Sequence, residues 1–301
     1  MSQAAPRILA FGDNVVDCYR DMQSMFPGGN CVNHAVFARR FGAQTAYAGA
    51  VSDDAAGRAI RDAFLAEDVD TSQLRFLPGQ TAYCVIATEE GERVFVGANL
   101  GVSIIAPSPA DLDWMAAADA VHTGRSSHVN AWIEHFASLT RVSYDFATIR
   151  DENRIADIAP HCFLAGFSGG DLGRDEALAL AGMALKHGAE WVVITRGEEG
   201  ALLAGHDGIH EAAAVPVRPV DTLGAGDTFI ARTLVGLLRK EAPETILSEA
   251  AEAAAQTCLS PGAFGHGVPM EVELSTMLAI DEIYATTRPV PGPPAAHAAA
   301  N

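Results

Sequence analysis

Asp221-Thr222-Leu223-Gly224-Ala225-Gly226-Asp227 runs directly into the apolar Phe229-Ile230-Ala231, joining a turn of small residues to the start of a helix. Gly224, Ala225 and Gly226 are small enough for backbone N–H groups to approach an anion, and the positive end of the helix dipole adds to the attraction. Asp227 falls in the first turn. A carboxylate there can accept the proton of an attacking hydroxyl while the amides stabilise charge on a transferred phosphoryl group. The same residues also suit an ordinary capped helix after a glycine turn, since Asp and Gly are frequent at helix starts.

Working outward, short apolar runs alternate with amphipathic segments. Ile8–Phe11, Ala46–Val51, Ala120–His122, Val142–Phe146, Cys162–Ala165 and Trp191–Thr195 read as strands, several without polar alternation, as strands covered on both faces do. Asp53–Glu67, Asn130–Leu139, Arg174–His187 and Ile246–Cys258 carry helical spacing. The alternation predicts an α/β fold with a mostly parallel sheet and helices on both faces. Thr81–Thr88 breaks the rhythm by alternating residue by residue, turning at Glu89-Glu90-Gly91-Glu92 and resuming at Arg93–Val96. That is a hairpin pattern. With extended material near Ala10–Tyr19 it suits a small sheet over the carboxyl end of the main one, or an edge hairpin covering core. From Arg288 to Asn301 four prolines and an alanine run offer little packable surface, and disorder is expected.

Three further stretches carry candidate chemistry. Gly12-Asp13-Asn14 follows the first strand and Asp17 lies four residues after Asp13, a pattern that can take sugar hydroxyls or form a simple turn. Pro27-Gly28-Gly29-Asn30-Cys31-Val32-Asn33 sets a glycine pair before two amides three residues apart on an incipient helix, suited to a polyol or to an N-cap. Thr195-Arg196-Gly197-Glu198-Glu199-Gly200 follows an apolar strand, where α/β proteins place nucleotide contacts. Phe167–Gly173 is glycine-rich without the Lys-Ser/Thr of a P-loop and reads as a loop, and His206 and His210 lie on a turn that does not suit a metal pair.

Composition narrows the class. Of 301 residues 49% are hydrophobic, ample for a core, and the formal net charge of −18 opposes binding to nucleic acid or anionic membrane. Five scattered cysteines form no C-x-x-C pair, which excludes a disulfide framework or zinc ribbon as the organising device. With no signal-like start and no apolar run near ~20 residues, a reduced, cytoplasmic protein is expected.

Taken in order, Gly12–Asp17, Gly28-Gly29-Asn30 with Asn33, Thr195–Gly200 and Asp221–Asp227 resemble the ribokinase-like (PfkB) carbohydrate kinase family over roughly residues 7–270. The resemblance implies one kinase domain over 7–286: a doubly wound, mostly parallel sheet flanked by helices, with a small β-sheet lid from strands around 10–20 and 81–97. It implies an ATP-dependent and Mg²⁺-dependent transfer to a sugar hydroxyl, with Asp227 as base and Gly224, Ala225 and Gly226 as anion hole. Asp13, Asp17, Gly29, Asn30 and Asn33 would hold the acceptor, Thr195, Gly197 and Gly200 the nucleotide, and Asp221 a monovalent cation such as K⁺. In some members the lids pair across a homodimer. Gly12–Asp17, Phe26–Asn30 and Arg93-Val94-Phe95 are most similar to the fructoselysine 6-kinase branch, implying the 6-hydroxyl of a fructosamine as acceptor. Alternatives are a fructokinase, ribokinase or nucleoside kinase, or a sugar-sensing protein without turnover. One departure stands out: Ala165–Asp171 lacks the Asn-x-x-Glu that organises Mg²⁺ in many members, leaving Asp171 as a candidate substitute.

Overall fold

The apolar runs become strands because they are buried on both sides. In the first of them Ile8 and Ala10 join one hydrophobic cluster while Leu9 and Phe11 join another, and none of the four is exposed. A strand with two apolar faces needs helices above and below it. The computed structural model describes residues 4–89, 92–279, 282–283 and 287–294.

In chain order the strands are β1 (Arg7–Phe11), β2 (Val15–Tyr19), β3 (Ser24–Gly28), β4 (Gln44–Val51), β5 (Asp70–Phe76), β6 (Tyr83–Glu89) and β7 (Glu92–Asn99). They continue as β8 (Ala120–Gly124), β9 (Arg141–Asp145), β10 (Leu164–Ser168), β11 (Trp191–Thr195), β12 (Ala201–Gly205), β13 (Gly208–Ala212) and β14 (Val268–Pro269). The helices are α1 (Asn30–Arg40), α2 (Ala55–Ala66), α3 (Pro109–Ala116), α4 (Ile133–Leu139), α5 (Glu152–Ile158), α6 (Arg174–Lys186), α7 (Ala225–Leu238) and α8 (Pro243–Thr257).

Two sheets result. The larger has the order β13-β12-β11-β10-β9-β8-β1-β4-β5 and is parallel from β11 to β5; the smaller has the order β14-β3-β2-β6-β7. One cluster packs α1, α2, α7 and α8 against one face of the large sheet, and the other packs α4, α5 and α6 against the opposite face. This is the doubly wound α/β arrangement expected from the alternation. β12 and β13 add an antiparallel edge to it.

Boundaries differ from the expectation where polar residues decide them. The segment read as a helix over Asn130–Leu139 starts as a 3₁₀ turn at Asn130–Trp132, and Cys162–Ala165 shifts to Leu164–Ser168. Helix α8 begins at Pro243, whose missing N–H and fixed φ suit a first helical position. The smaller sheet starts at Val15, since Ala10 and Phe11 belong to β1, and it recruits β3, which periodicity did not reveal. Thr81–Val96 does form a hairpin, β6 against β7, with the turn residues 90–91 outside the described residues. The proline-rich end is ordered over 287–294: Val290 is buried and donates its N–H to the His128 carbonyl, and the Trp132 indole donates to the Pro291 carbonyl at 2.7 Å. Residues 295–301 lie outside the described residues.

Candidate active site

The large sheet ends its strands on one side, and the site is built there from four chain segments. After β1, Gly12 (φ 135°) turns the chain through Asp13 and Asn14 into β2. Asn14 locks the turn by donating to the Tyr47 hydroxyl at 3.0 Å and the Ala50 carbonyl at 2.7 Å. After β3, Gly29 (φ 101°) reverses into α1; its Cα passes so close to the backbone of Asn14 and Val15 that a Cβ would meet Asn14 Cα at 2.9 Å. Gly29 has no side chain with which to cap α1. The Asp13 carboxylate does so from the preceding turn, accepting the Asn30 N–H at 2.9 Å and the Ser127 hydroxyl at 2.9 Å. Asp13, expected among the acceptor ligands, thus also fixes the start of α1, where Asn30 sits.

Asn30 and Asn33 lie three apart on α1 and face the first turn of α7. Asn30 Nδ2 donates to Asp227 Oδ1 at 3.0 Å, and Asn33 Nδ2 donates to Asp227 Oδ2 at 2.6 Å. Asn30 Nδ2 also donates to Asp145 Oδ2 at 2.9 Å, at the end of β9. An amide nitrogen serving two carboxylates leaves Asn30 Oδ1 as acceptor, so His122 Nε2, 3.0 Å away, carries a hydrogen. His122 Nδ1 then accepts from the Ser143 hydroxyl at 2.9 Å. Burial pushes His122 down to about 3, so it stays neutral and acts as an orienting group. Its ring stacks on His34 at 3.5 Å between centroids.

Asp227 is pushed up to about 6, chiefly by burial; hydrogen bonds from Asn33 and Asn30 oppose the rise and the Asp13 charge adds to it. Asp145 rises to about 7 from burial and from the neighbouring Asp227 charge. A carboxylate poised near neutrality with its orientation fixed by two amides has the properties of a general base.

The glycine turn before Asp227 has two distinct parts. Gly224 (φ 80°) is the N-cap of α7, and a Cβ there would overlap Ala263, so the turn needs glycine. Over Gly226 there is room: the nearest atom to a built Cβ is Thr195 Oγ1 at 4.0 Å. The Ala225 N–H between them donates to the Thr222 carbonyl at 3.3 Å, while the Gly226 side of the α7 start is open to an anion, which fits a nucleotide phosphate. Thr195 is thereby brought beside the turn. Gly197 (φ 57°) is open on its Cβ side, whereas Gly200 (φ 86°) passes against the Ala212 carbonyl and serves the β11–β12 connection. Arg196 is buried and ion-paired with Glu199 at 3.5 Å.

Two expected metal contacts look different in three dimensions. Asp221 Oδ1 accepts from the Leu223 N–H at 3.0 Å, and Oδ2 accepts from the Gly262 N–H at 3.0 Å and from the Tyr19 hydroxyl. These hydrogen bonds clamp the glycine turn to β2. Asp171 is largely exposed and paired with Arg150 at 3.3 Å. Among the described residues no group of three or more His, Cys, Asp or Glu is disposed to hold a metal ion. Asp17 is buried on β2 against Gly28, where a Cβ would overlap its carboxylate.

Asp145 and His122 were not singled out from the sequence. Both sit inside runs that read as strands, and the available signal was a polar residue at a strand's carboxyl end.

Residues 15–267 match the pfkB family carbohydrate kinases. The chain is 36% identical over 272 residues to the fructosamine kinase FrlD of Bacillus subtilis, covering 89% of this chain and 96% of that protein. It is 33% identical over 232 residues to the fructoselysine 6-kinase of Escherichia coli, covering 76% and 88%. Its fold is similar to Arabidopsis thaliana ribokinase complexed with ribose and ATP (TM-score 0.74, 19% identity, 86% of this chain and 95% of that one). It is likewise similar to aminoimidazole riboside kinase from Salmonella enterica (TM-score 0.67, 22% identity, 86% and 96%). No helix among the described residues is long and apolar enough to cross a membrane.

Proposed function

The chain belongs to the pfkB family of carbohydrate kinases and is an ATP-dependent sugar kinase; from that premise we propose that its acceptor is the 6-hydroxyl of a fructosamine. The observation that carries the chemistry is the pair of amide hydrogen bonds, from Asn30 and Asn33, that hold the partly buried Asp227 carboxylate in the first turn behind the glycine cradle. The choice of acceptor rests on the similarity to the fructosamine and fructoselysine kinases.

ATP supplies the γ-phosphoryl group. Asp227 accepts the proton of the acceptor hydroxyl as that oxygen attacks, and the two amides keep the carboxylate aimed throughout. The N–H groups of Gly224 and Gly226, reinforced by the α7 dipole, face the negative charge that spreads over the transferred phosphoryl oxygens. Asn33 keeps its Oδ1 free of any protein donor while 3% exposed, which suits a sugar hydroxyl as the donor. Asp17 sits beside the Gly28-Gly29 turn and supplies a second acceptor for hydroxyls. Thr195 and Gly197 lie on the nucleotide side of the cradle. Closure of the smaller sheet over these groups would exclude water as a competing nucleophile.

The test is ADP release with Mg·ATP against fructosamines, fructose, ribose and adenosine, using Asp227→Asn as control. Turnover on fructosamines that vanishes in the variant is the expected result. Turnover confined to ribose or adenosine would refute the acceptor, and an Asp227→Asn protein with full activity would refute the base.

A further inference from the structure

The acceptor reading leaves Asp145 unused, although it shares the Asn30 amide with Asp227. It sits at the last residue of β9, 9% exposed, and its two oxygens are only partly occupied. Oδ1 accepts the Ala147 N–H at 2.8 Å and Oδ2 shares the Asn30 amide with Asp227. Gly124 makes the arrangement possible: a Cβ there would meet Asn30 Oδ1 at 2.9 Å and Asp145 Cβ at 3.2 Å.

The local charge is one-sided. Among the described residues no Lys or Arg forms an ion pair with Asp13, Asp145 or Asp227. The charges that bear on Asp145 are Asp227 on α7, Asp13 in the β1–β2 turn and, in the opposite sense, Arg125 after β8; His122 is neutral. Buried carboxylates of a structural kind are normally paired. A second, independent observation points the same way: Asn33 Oδ1 is a buried acceptor with no donor from the protein. The site is thus rich in acceptors and short of positive charge.

We propose that Asp145 selects the acceptor, receiving a hydrogen bond from the protonated amine of an amino sugar whose hydroxyl is presented to Asp227. The inference rests on the fructosamine reading and adds to it a residue and a reason. An ammonium is the complement that the bridged carboxylates lack, and its charge would favour the ionised form of both, including the base. A neutral ketose would leave Asp145 to hold a proton instead. Binding and activation would then depend on the same charge.

The test compares 1-amino-1-deoxyfructose bearing an N-alkyl group, its N-acetyl derivative and fructose, with wild-type protein and Asp145→Asn. Asn at 145 can satisfy only one of the two donors that Asp145 accepts, so some loss common to all acceptors is expected. The specific prediction is that KM for the amine rises about 10- to 100-fold in Asp145→Asn while KM for fructose changes by less than about threefold. In the wild-type protein, which needs no variant to fold, removing the charge by N-acetylation should raise KM by about tenfold or more. Equal changes for amine and fructose, or amine and N-acetyl derivative used alike, would overturn the assignment of Asp145. Failure of the underlying reading has a separate signature: wild-type protein that phosphorylates neutral sugars and leaves the amine untouched, which would remove the inference with it.

Discussion

Helix α7 carries two charges five residues apart, Arg232 buried and Asp227 partly buried, and the fold treats them in opposite ways. Arg232, 3% exposed, is paired with Glu249 at 2.7 Å and with Glu241, and Gly236 one turn on makes room for its guanidinium. Asp227 receives only neutral amides and lies among other carboxylates. The guanidinium has its counter-charge built into the fold; the carboxylate does not. A buried charge that the fold neutralises holds elements together, here α7 to α8 and the loop between them. One left without a counter-charge keeps an elevated proton affinity and remains available to a ligand.

The contrast can be broken most sharply at Asp227. Asp227→Asn keeps the shape and the amide contacts on one oxygen, and kcat should fall by about 10²- to 10⁴-fold. Thermal stability should hold or rise, because a desolvated charge is removed. A parallel loss of activity and melting temperature would place Asp227 with Arg232 as a structural charge.

The pH profile is the next largest effect. With Asp227 pushed up to about 6, kcat should climb about tenfold per pH unit below that value and flatten above it. Stability should move the other way. Asp145 and Asp227 have folded pKa values above their unfolded ones, so near neutrality the folded state binds more protons and loses stability as pH rises from about 4 to about 7. Asp145→Asn should therefore flatten the decline in melting temperature between pH 5 and pH 8, a difference on the order of 1–2 kcal/mol. A variant that declines as steeply as the wild type would show that Asp145 titrates normally.

Arg232→Met should leave KM and the shape of the pH profile intact while costing about 2 kcal/mol of stability in denaturant titration. The full cost of orphaning a buried charge is not expected, since Glu249 is more than half exposed and can hydrate. The smallest effect belongs to Asp221, whose hydrogen bonds make it an intermediate case. Tyr19→Phe removes one donor and should cost about 1 kcal/mol. Because that bond ties β2 to the glycine turn, KM for the acceptor should rise modestly with it; a change confined to stability would detach the clamp from the site.

The parts of the site legible in the sequence were those in contiguous motifs with unusual residue types: the Gly224–Asp227 turn, the Gly28–Asn33 segment and Thr195–Gly200. Glycines that need positive φ or a close backbone approach, and amides at helical spacing, leave a local mark. Asp145 and His122 left only a faint mark, each a single polar residue ending or interrupting an apolar strand, and its meaning arises only beside Asn30. Asp13 was legible as a candidate site residue, but its hydrogen bond from the N–H of a helix that begins seventeen residues later was not. Asp221 was legible as part of its motif, whereas its partners Tyr19 and Gly262 come from distant segments and emerge only in three dimensions.

The sequence by itself determined the layered α/β architecture, because strand and helix periodicities are local and their alternation leaves few ways to bury two-faced strands. It also marked the anion cradle and its carboxylate, which are adjacent in the chain. Only the tertiary structure decided which carboxylates remain without counter-charge, which amide bridges Asp145 to Asp227, and that the proline-rich stretch over 287–294 packs. Proton affinity and hydrogen-bond commitment depend on burial and on partners contributed by other segments, and those are set when α1, α7, β8 and β9 meet.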